Sequence, residues 1–365
     1  MFAKKNLVAA AALLALAGAA QADVKLYGMV DMSFGSFGGA HVKGTPNRVT
    51  AVQSGQMMPS YFGIAGSEDL GDGLKAEFAL ESFLAGDTGA NVTNNAGQFW
   101  SRGSNVALSG GFGKVALGQY DNPLFTAGYT YDPFGSSMTF SPTMRHYNYI
   151  GQTSGIAGAG VGFDTGWINS ITYESPNFSG FNFVAQTALK ESSTSGAKNS
   201  FALSGSYNAG PLSLTAVYVK GGPSDQPAVA PGAAFHTYGA DEKIWNLSGS
   251  YDFGVLKAFA TYTDIKQTAS LVPATAATDN KDKIFQIGVS VPVTEKGAVL
   301  ASYGELKNKD VATGTTSKDR VFSLGYDHNL SKRTDVYAVY SSNTQSNTVN
   351  DASGQTFAVG IRHNF

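Results

Sequence analysis

The 365-residue chain contains no cysteine. That excludes a disulfide scaffold, a thiolate metal site and a cysteine nucleophile. Charge is scarce as well: Asp, Glu, Lys and Arg make up 14% of the residues, and the formal net charge is −2. A nucleic-acid protein driven by bulk positive charge is excluded on that ground. The five histidines, His41, His146, His236, His328 and His363, lie in separate segments with no pair at i, i+4, so a metal cluster is not expected. No Gly-x-Ser-x-Gly elbow is present. The Gly-rich run Gly158–Gly162 is not followed by a helical pattern and is no dinucleotide loop. The expectation is no enzyme and no cofactor.

Long apolar runs are missing too, except at the start. Residues 1–22 have the form of a secretory signal peptide, with Lys4 and Lys5 before an Ala- and Leu-rich stretch and a small-x-small site at Ala20-Gln21-Ala22. The stretch Leu7–Ala20 is shorter than the ~20 residues a helix needs to span a bilayer. Asp23 is then the mature N-terminus, and 23–365 is expected to be one domain. Without Lys4 and Lys5 the net charge becomes −4.

What is abundant is Gly, at 44 residues, with 23 Phe and 17 Tyr, and the apolar pattern has period two. Val24, Leu26, Val30, Met32 and Phe34 alternate with Lys25, Tyr27, Asp31 and Ser33. Leu74, Ala76, Phe78 and Leu80 alternate with Lys75, Glu77 and Glu81; Phe181 and Phe183 with Asn182; Phe357, Val359 and Ile361 with Ala358, Gly360 and Arg362. Sixteen such segments run from 24–34 to 355–365, among them 98–109 and 114–121. Most have the ~9–11 residues of a tilted membrane-crossing strand.

The connections alternate in length. Short ones, such as Asp69–Gly73 and Gly110–Gly113, carry turn residues, whereas 35–59, 221–242 and 268–281 are long and polar. Short turns at one end and long loops at the other mark a membrane barrel. Hydrocarbon cannot satisfy backbone amides, so the strands must close into a ring. The predicted fold is all-β, a sixteen-stranded antiparallel transmembrane β-barrel. By parity Lys75 and Lys114 point inward, with Lys25, Glu77 and Glu81. Arg102 shares parity with Val106 and Leu108 and faces inward only if a bulge intervenes. The longest connection, 122–165, is rich in Tyr, Phe, Pro and Gly, and a connection of that length usually has a function.

Several stretches resemble the general-porin family of Gram-negative bacteria, especially its betaproteobacterial and neisserial branch. They are Gly63-Ile64-Ala65-Gly66-Ser67-Glu68-Asp69-Leu70-Gly71, Phe112–Gly118, Asn169–Pro176 with Phe178–Phe181, Gly325-Tyr326-Asp327 with Leu330–Tyr337, and the terminal Val359–Phe365. The resemblance implies an outer-membrane channel for passive diffusion of small hydrophilic solutes and ions, assembled as a homotrimer. It implies that the third external loop, 122–165, folds inward as a constriction. It further implies that Phe365 is the aromatic signal read by the barrel-assembly machinery and that outer-membrane lipid and lipopolysaccharide are the surroundings; no nucleic acid is implied.

At three positions where the family often has inward arginines, the chain has Tyr61, Gln119 and Gly166, and the loop's usual Glu is missing from Asp132-Pro133-Phe134-Gly135. The expected constriction residues are Tyr61, Lys75, Lys114, Gln119, Tyr120, Asp121, Asp132, Phe134 and Arg145. The missing arginines, with Tyr61, Tyr120, Phe125, Tyr129, Tyr131, Phe134 and Tyr147 retained, suggest a second reading: a channel of the same fold preferring a sugar or an aromatic compound.

Overall fold

The computed structural model describes residues 23–39, 41–42, 48–92, 98–148, 165–191, 193, 197–222, 240–269, 279–346 and 351–365. The leader 1–22 and residues 149–164 of the long connection lie outside the described residues, as do His236 and Gly158–Gly162.

The described strands, in chain order, begin with β1 (Asp23–Phe37), β2 (His41–Val42), β3 (Val49–Ser54), β4 (Tyr61–Gly71), β5 (Leu74–Ala85) and β6 (Ala90–Val92). Next come β7 (Gly103–Gly110), β8 (Gly113–Asp121), β9 (Gly166–Glu174), β10 (Phe181–Ala188), β11 (Ser200–Ala209) and β12 (Leu212–Gly221). The last are β13 (Ala240–Asp252), β14 (Lys257–Ala269), β15 (Asn280–Thr294), β16 (Gly297–Asp310), β17 (Thr316–Asn329), β18 (Thr334–Ser346) and β19 (Asp351–Asn364). Two helices, α1 (Pro123–Thr130) and α2 (Pro142–Asn148), follow β8.

β1 pairs antiparallel with β19, from Met29 opposite Asn364 to Ser36 opposite Phe357, and this closes the sheet. β2, β3 and β6 are short additions within long connections; the remaining sixteen strands form the ring, a closed sixteen-stranded antiparallel β-barrel. Closure leaves no free edge, which is the condition for a sheet in hydrocarbon. At the seam, Gly28 N–H and the Phe365 carbonyl are 3.4 Å apart and Phe365 N–H donates to the Gly28 carbonyl at 3.1 Å. A Cβ on Gly28 would sit 2.7 Å from the Phe365 ring, so only glycine lets the terminal aromatic lie there.

Two elements depart from the sequence pattern. The segment expected at 98–109 begins as a strand only at Gly103. Before it the chain bends, with Ser101 N–H bonded to Phe99 O at 2.8 Å and Arg102 N–H to Glu81 O at 3.1 Å. Within 35–59, expected as irregular loop, Val49–Ser54 forms β3 because the end of β1 offers it a partner edge, Phe34 opposite Val52.

The two faces of the wall are chemically opposite. Leu214, Trp245, Leu247, Tyr262, Phe285, Ile287, Phe322 and Leu324 are exposed, while their alternates Asn246, Ser248, Thr261, Thr263, Gln286 and Ser323 are buried. The apolar side faces outward and meets lipid. Beyond the aromatics, at the long-connection end, the outward positions become basic. Lys220 stands opposite Lys243, Lys243 opposite Lys266, Lys266 opposite Lys281 and Lys281 opposite Lys309.

Candidate functional site in the barrel interior

The segment after β8 enters the ring because its first residues fix a helix. Asn122 caps α1, its side chain accepting from Leu124 N–H at 2.9 Å, and Pro123 supplies the first helical position. Asn122 Nδ2 also donates to Gln186 Oε1 at 3.0 Å, tying the cap to the wall.

From there the segment packs on inward positions of strands far from β8. Leu124, Phe125, Met144 and Tyr147 join Val217, Val219, Ile244, Ile265, Ile284 and Leu306 in one apolar cluster. Phe134 and Phe140 join Leu300, Tyr337 and Val339 in another. Polar anchors flank both clusters. Tyr131 Oη lies 2.8 Å from both Ser213 Oγ and Thr215 Oγ1. Tyr147 Oη lies 2.6 Å from Thr263 Oγ1 and accepts from Asn246 Nδ2 at 3.2 Å. His146 Nε2 meets Asp319 Oδ1 at 3.0 Å, both side chains fully buried, and Asn343 and Gln345 also donate to Asp319. Inner-wall glycines make room: a Cβ on Gly288 or Gly304 would come within 2.6 Å of Pro133 or Pro142.

Asp132 closes the segment on itself, accepting from Phe134 N–H at 2.8 Å and Ser141 Oγ at 2.8 Å. Burial pushes its carboxyl up to about 7 against those bonds.

The segment packs on inward residues from β11 round to β19, and the open space beside it lies against β4, β5 and β7–β12. It is a cavity of about 720 Å³ lined by Glu77, Glu81, Arg102, Lys114, Gln119, Tyr120, Asp121, Tyr129 and Glu174, with Asp23 and Lys25 at one end. Arg102 is paired with Glu81 and lies over the Tyr61 ring, 4.4 Å from its centre. Tyr27 Oη donates to Glu81 Oε1 at 2.5 Å. Lys114 Nζ is 2.7 Å from Glu77 Oε2, and Tyr120 Oη donates to Glu174 Oε1 at 2.8 Å.

The expected residues therefore divide. Lys114, Gln119, Tyr120 and Asp121 line the cavity, and Tyr61 supports it through Arg102. Lys75 is exposed next to the short β4–β5 turn and is not part of the lining. Asp132, Phe134 and Arg145 are buried within or beneath the segment, Asp132 bonded inside it and Phe134 and Arg145 against the wall, and none of the three is in the cavity lining. Phe125 and Tyr147 are buried there too.

Arg102 is the residue that period-two counting misses. It precedes β7, outside the ladder, so no parity and no bulge governs it. The signal present in the sequence is the aromatic pair Phe99-Trp100 followed by Ser101 and Gly103, a poor match to a continuous strand. A second departure helps at β8: the register shifts between Gly118 and Tyr120, which lets Gln119, Tyr120 and Asp121 all reach the cavity.

A closed transmembrane barrel with apolar exterior, polar interior and a charged opening has the architecture of an outer-membrane channel. Comparison with known proteins makes the class specific. The Gram-negative porin family model matches residues 9–348. Outer membrane porin protein 32 of Delftia acidovorans is 33% identical, covering 98% of this chain and 95% of that protein. An outer membrane porin protein of Bordetella pertussis is 29% identical over 99% of this chain and 100% of its own length. Among solved structures, an anion-selective porin from Comamonas acidovorans superposes with a TM-score of 0.72 at 28% identity, over 94% of this chain and 100% of that one. The chain belongs to the Gram-negative porin family. It is an outer-membrane porin for passive diffusion of small hydrophilic solutes and ions.

Proposed function

We propose that residues 122–148, pinned to the inner wall, set the width of the channel, and that solutes pass between this segment and the wall from β4 to β12. The observation that supports this is the apolar cluster inside the barrel, in which Leu124, Met144 and Tyr147 meet Ile244, Ile265 and Ile284. Apolar side chains on an inward wall would otherwise face water, at a cost of about 1.5–3 kcal/mol each. Single-channel conductance tests the reading: removing residues 123–148 should raise conductance severalfold, and an unchanged conductance would refute it.

Diffusion without solute preference is the better supported mode. Of the aromatic set, Tyr120 and Tyr129 reach the cavity, whereas Phe125, Tyr131, Phe134 and Tyr147 are committed to packing. Little stacking surface is left for a sugar ring. Block of the current by one candidate sugar, and not by others of equal size, would favour the solute-preferring reading instead.

The remaining assignments follow from the family and from the wall. Residues 1–22 are a cleaved export signal and 23–365 form one domain. Three copies assemble, a state that native mass measurement in detergent checks. The Phe365 ring and carboxylate end are presented at the β1–β19 seam for the barrel-assembly machinery. The basic outward row from Lys220 to Lys309 lies at the level of outer-leaflet phosphates, including those of lipopolysaccharide.

A further inference from the structure

We propose that this channel passes cations in preference to anions; the proposal rests on the cavity between the inward segment and the wall from β4 to β12 being the solute path. The cavity lining holds five carboxylates, Asp23, Glu77, Glu81, Asp121 and Glu174, against three cations, Lys25, Arg102 and Lys114.

The cations are also spoken for. Lys114 is held by Glu77, Lys25 lies 3.2 Å from Asp23, and Arg102 is clamped by Glu81 and the Tyr61 face. A cation neutralised at contact distance projects little field on a passing anion. Five carboxylates against three cations leave an excess of two: Asp121 shares the field of Arg102 with Glu81, and Glu174 is in no ion pair among the described residues. Glu174 takes a neutral donor, the Tyr120 hydroxyl.

The facing side adds no balancing positive charge. Where the segment lines the cavity it offers Pro123, Thr126, Ala127, Tyr129 and Thr130. Its basic residues, Arg145 and His146, are turned to the opposite wall at Asn343 and Asp319. A narrow path between low-dielectric walls with one sign in excess enriches the counter-ion and excludes the co-ion.

The test is the zero-current potential of the native porin in a planar bilayer under a KCl gradient. The expected permeability ratio of K⁺ to Cl⁻ is above one, roughly twofold or more, and falls toward one as salt is raised and charges are screened. Glu174→Gln should lower the ratio and Glu174→Lys should carry it below one, with pores still conducting. Asp72→Asn, in the exposed β4–β5 turn, should leave it unchanged. Conducting pores with a ratio at or below one in the native protein would overturn the proposal alone. Absence of pores would overturn the channel reading and this proposal with it. The native measurement decides the matter even if a variant fails to assemble.

Discussion

The inner wall has two regions built from the same strands and filled in opposite ways. On β5, β8 and β9 the inward side chains include Glu77, Glu81, Lys114 and Glu174, and they face open space. On β13 to β16 the inward side chains near the long-connection end include Ile244, Ile265, Ile284 and Leu306, and they face α1 and α2. Backbone geometry does not separate the two; what lies opposite does. Water across the gap selects charge, and a packed segment across the gap selects aliphatic volume. The consequence appears on the outside as well. Where Ile and Leu point in, Lys243, Lys266, Lys283 and Lys307 point out, so the usual order of apolar outside and polar inside is reversed at that level, and Glu242, Gln267, Asp282 and Asn308 restore a polar inner face beyond it.

The contrast is broken most directly by putting charge on the covered side. Ile265→Asp places a carboxylate among Val219, Ile244 and the segment's aromatics, which costs several kcal/mol or more when no partner is at hand. The segment should detach, conductance should rise severalfold, and residues 123–148 should become sensitive to an added protease. If conductance and protease resistance both stay as in the native protein, the covered region is not held by apolar contact.

The next largest effect concerns the buried pair that anchors α2. His146 meets Asp319, which also accepts from Asn343 and Gln345. Asp319→Leu leaves His146 and two amides without their acceptor, and breaking one side of a buried pair typically costs about 3–5 kcal/mol. Current records should show the same large-conductance state as Ile265→Asp, visited intermittently instead of permanently. His146→Leu combined with Asp319→Leu should recover part of the loss.

A pH dependence sharpens the comparison further. The Asp132 carboxyl is held up at about 7 by burial, above its ordinary 3.8. The packed segment therefore keeps a proton that the detached segment has already released. Packing is firmest below about pH 4, weakens as pH rises through the window from about 4 to about 7, and is level above it. The measurement is the rate of protease cleavage within 123–148 for the native protein divided by that for Asp132→Asn at the same pH, which cancels the protease's own dependence. The ratio should rise across that window. A flat ratio would show that Asp132 does not titrate with the packing.

Much of this architecture is legible in the sequence, and the failures have physical causes. Period-two alternation locates the ring strands because each crosses one oil-facing and one wet zone, and the parity of loop lengths orients them. Arg102 is hidden because a bend before β7 takes it out of any ladder. The place of Asp132, Phe134 and Arg145 in the long connection points to the constriction, yet these side chains are buried, Asp132 in bonds within the segment and Phe134 and Arg145 against the wall. Nothing local tells a Phe that packs from one that lines. The apolar inward set, Ile244, Ile265, Ile284 and Leu306, shows only as a break in phase, since each sits beside an outward Lys that simple alternation would send to the water inside.

That phase break also yields the smallest predicted effect. Lys243, Lys266 and Lys281 stand directly opposite one another across β13, β14 and β15, and like charges so placed repel by about 0.2–1 kcal/mol per pair. In a zwitterionic bilayer nothing offsets this apart from screening, so Lys266→Gln should raise the unfolding midpoint slightly. In a bilayer carrying phosphorylated lipid A each lysine gains an anionic neighbour worth about 1 kcal/mol, and the same substitution should lower the midpoint. The sign of the change, not its size, carries the information. A stabilisation in both bilayers would mean that the lysine row meets no lipid phosphate, and a destabilisation in both would mean that Lys266 is held by Asp264, 3.9 Å away on its own strand, instead of being strained by its neighbours.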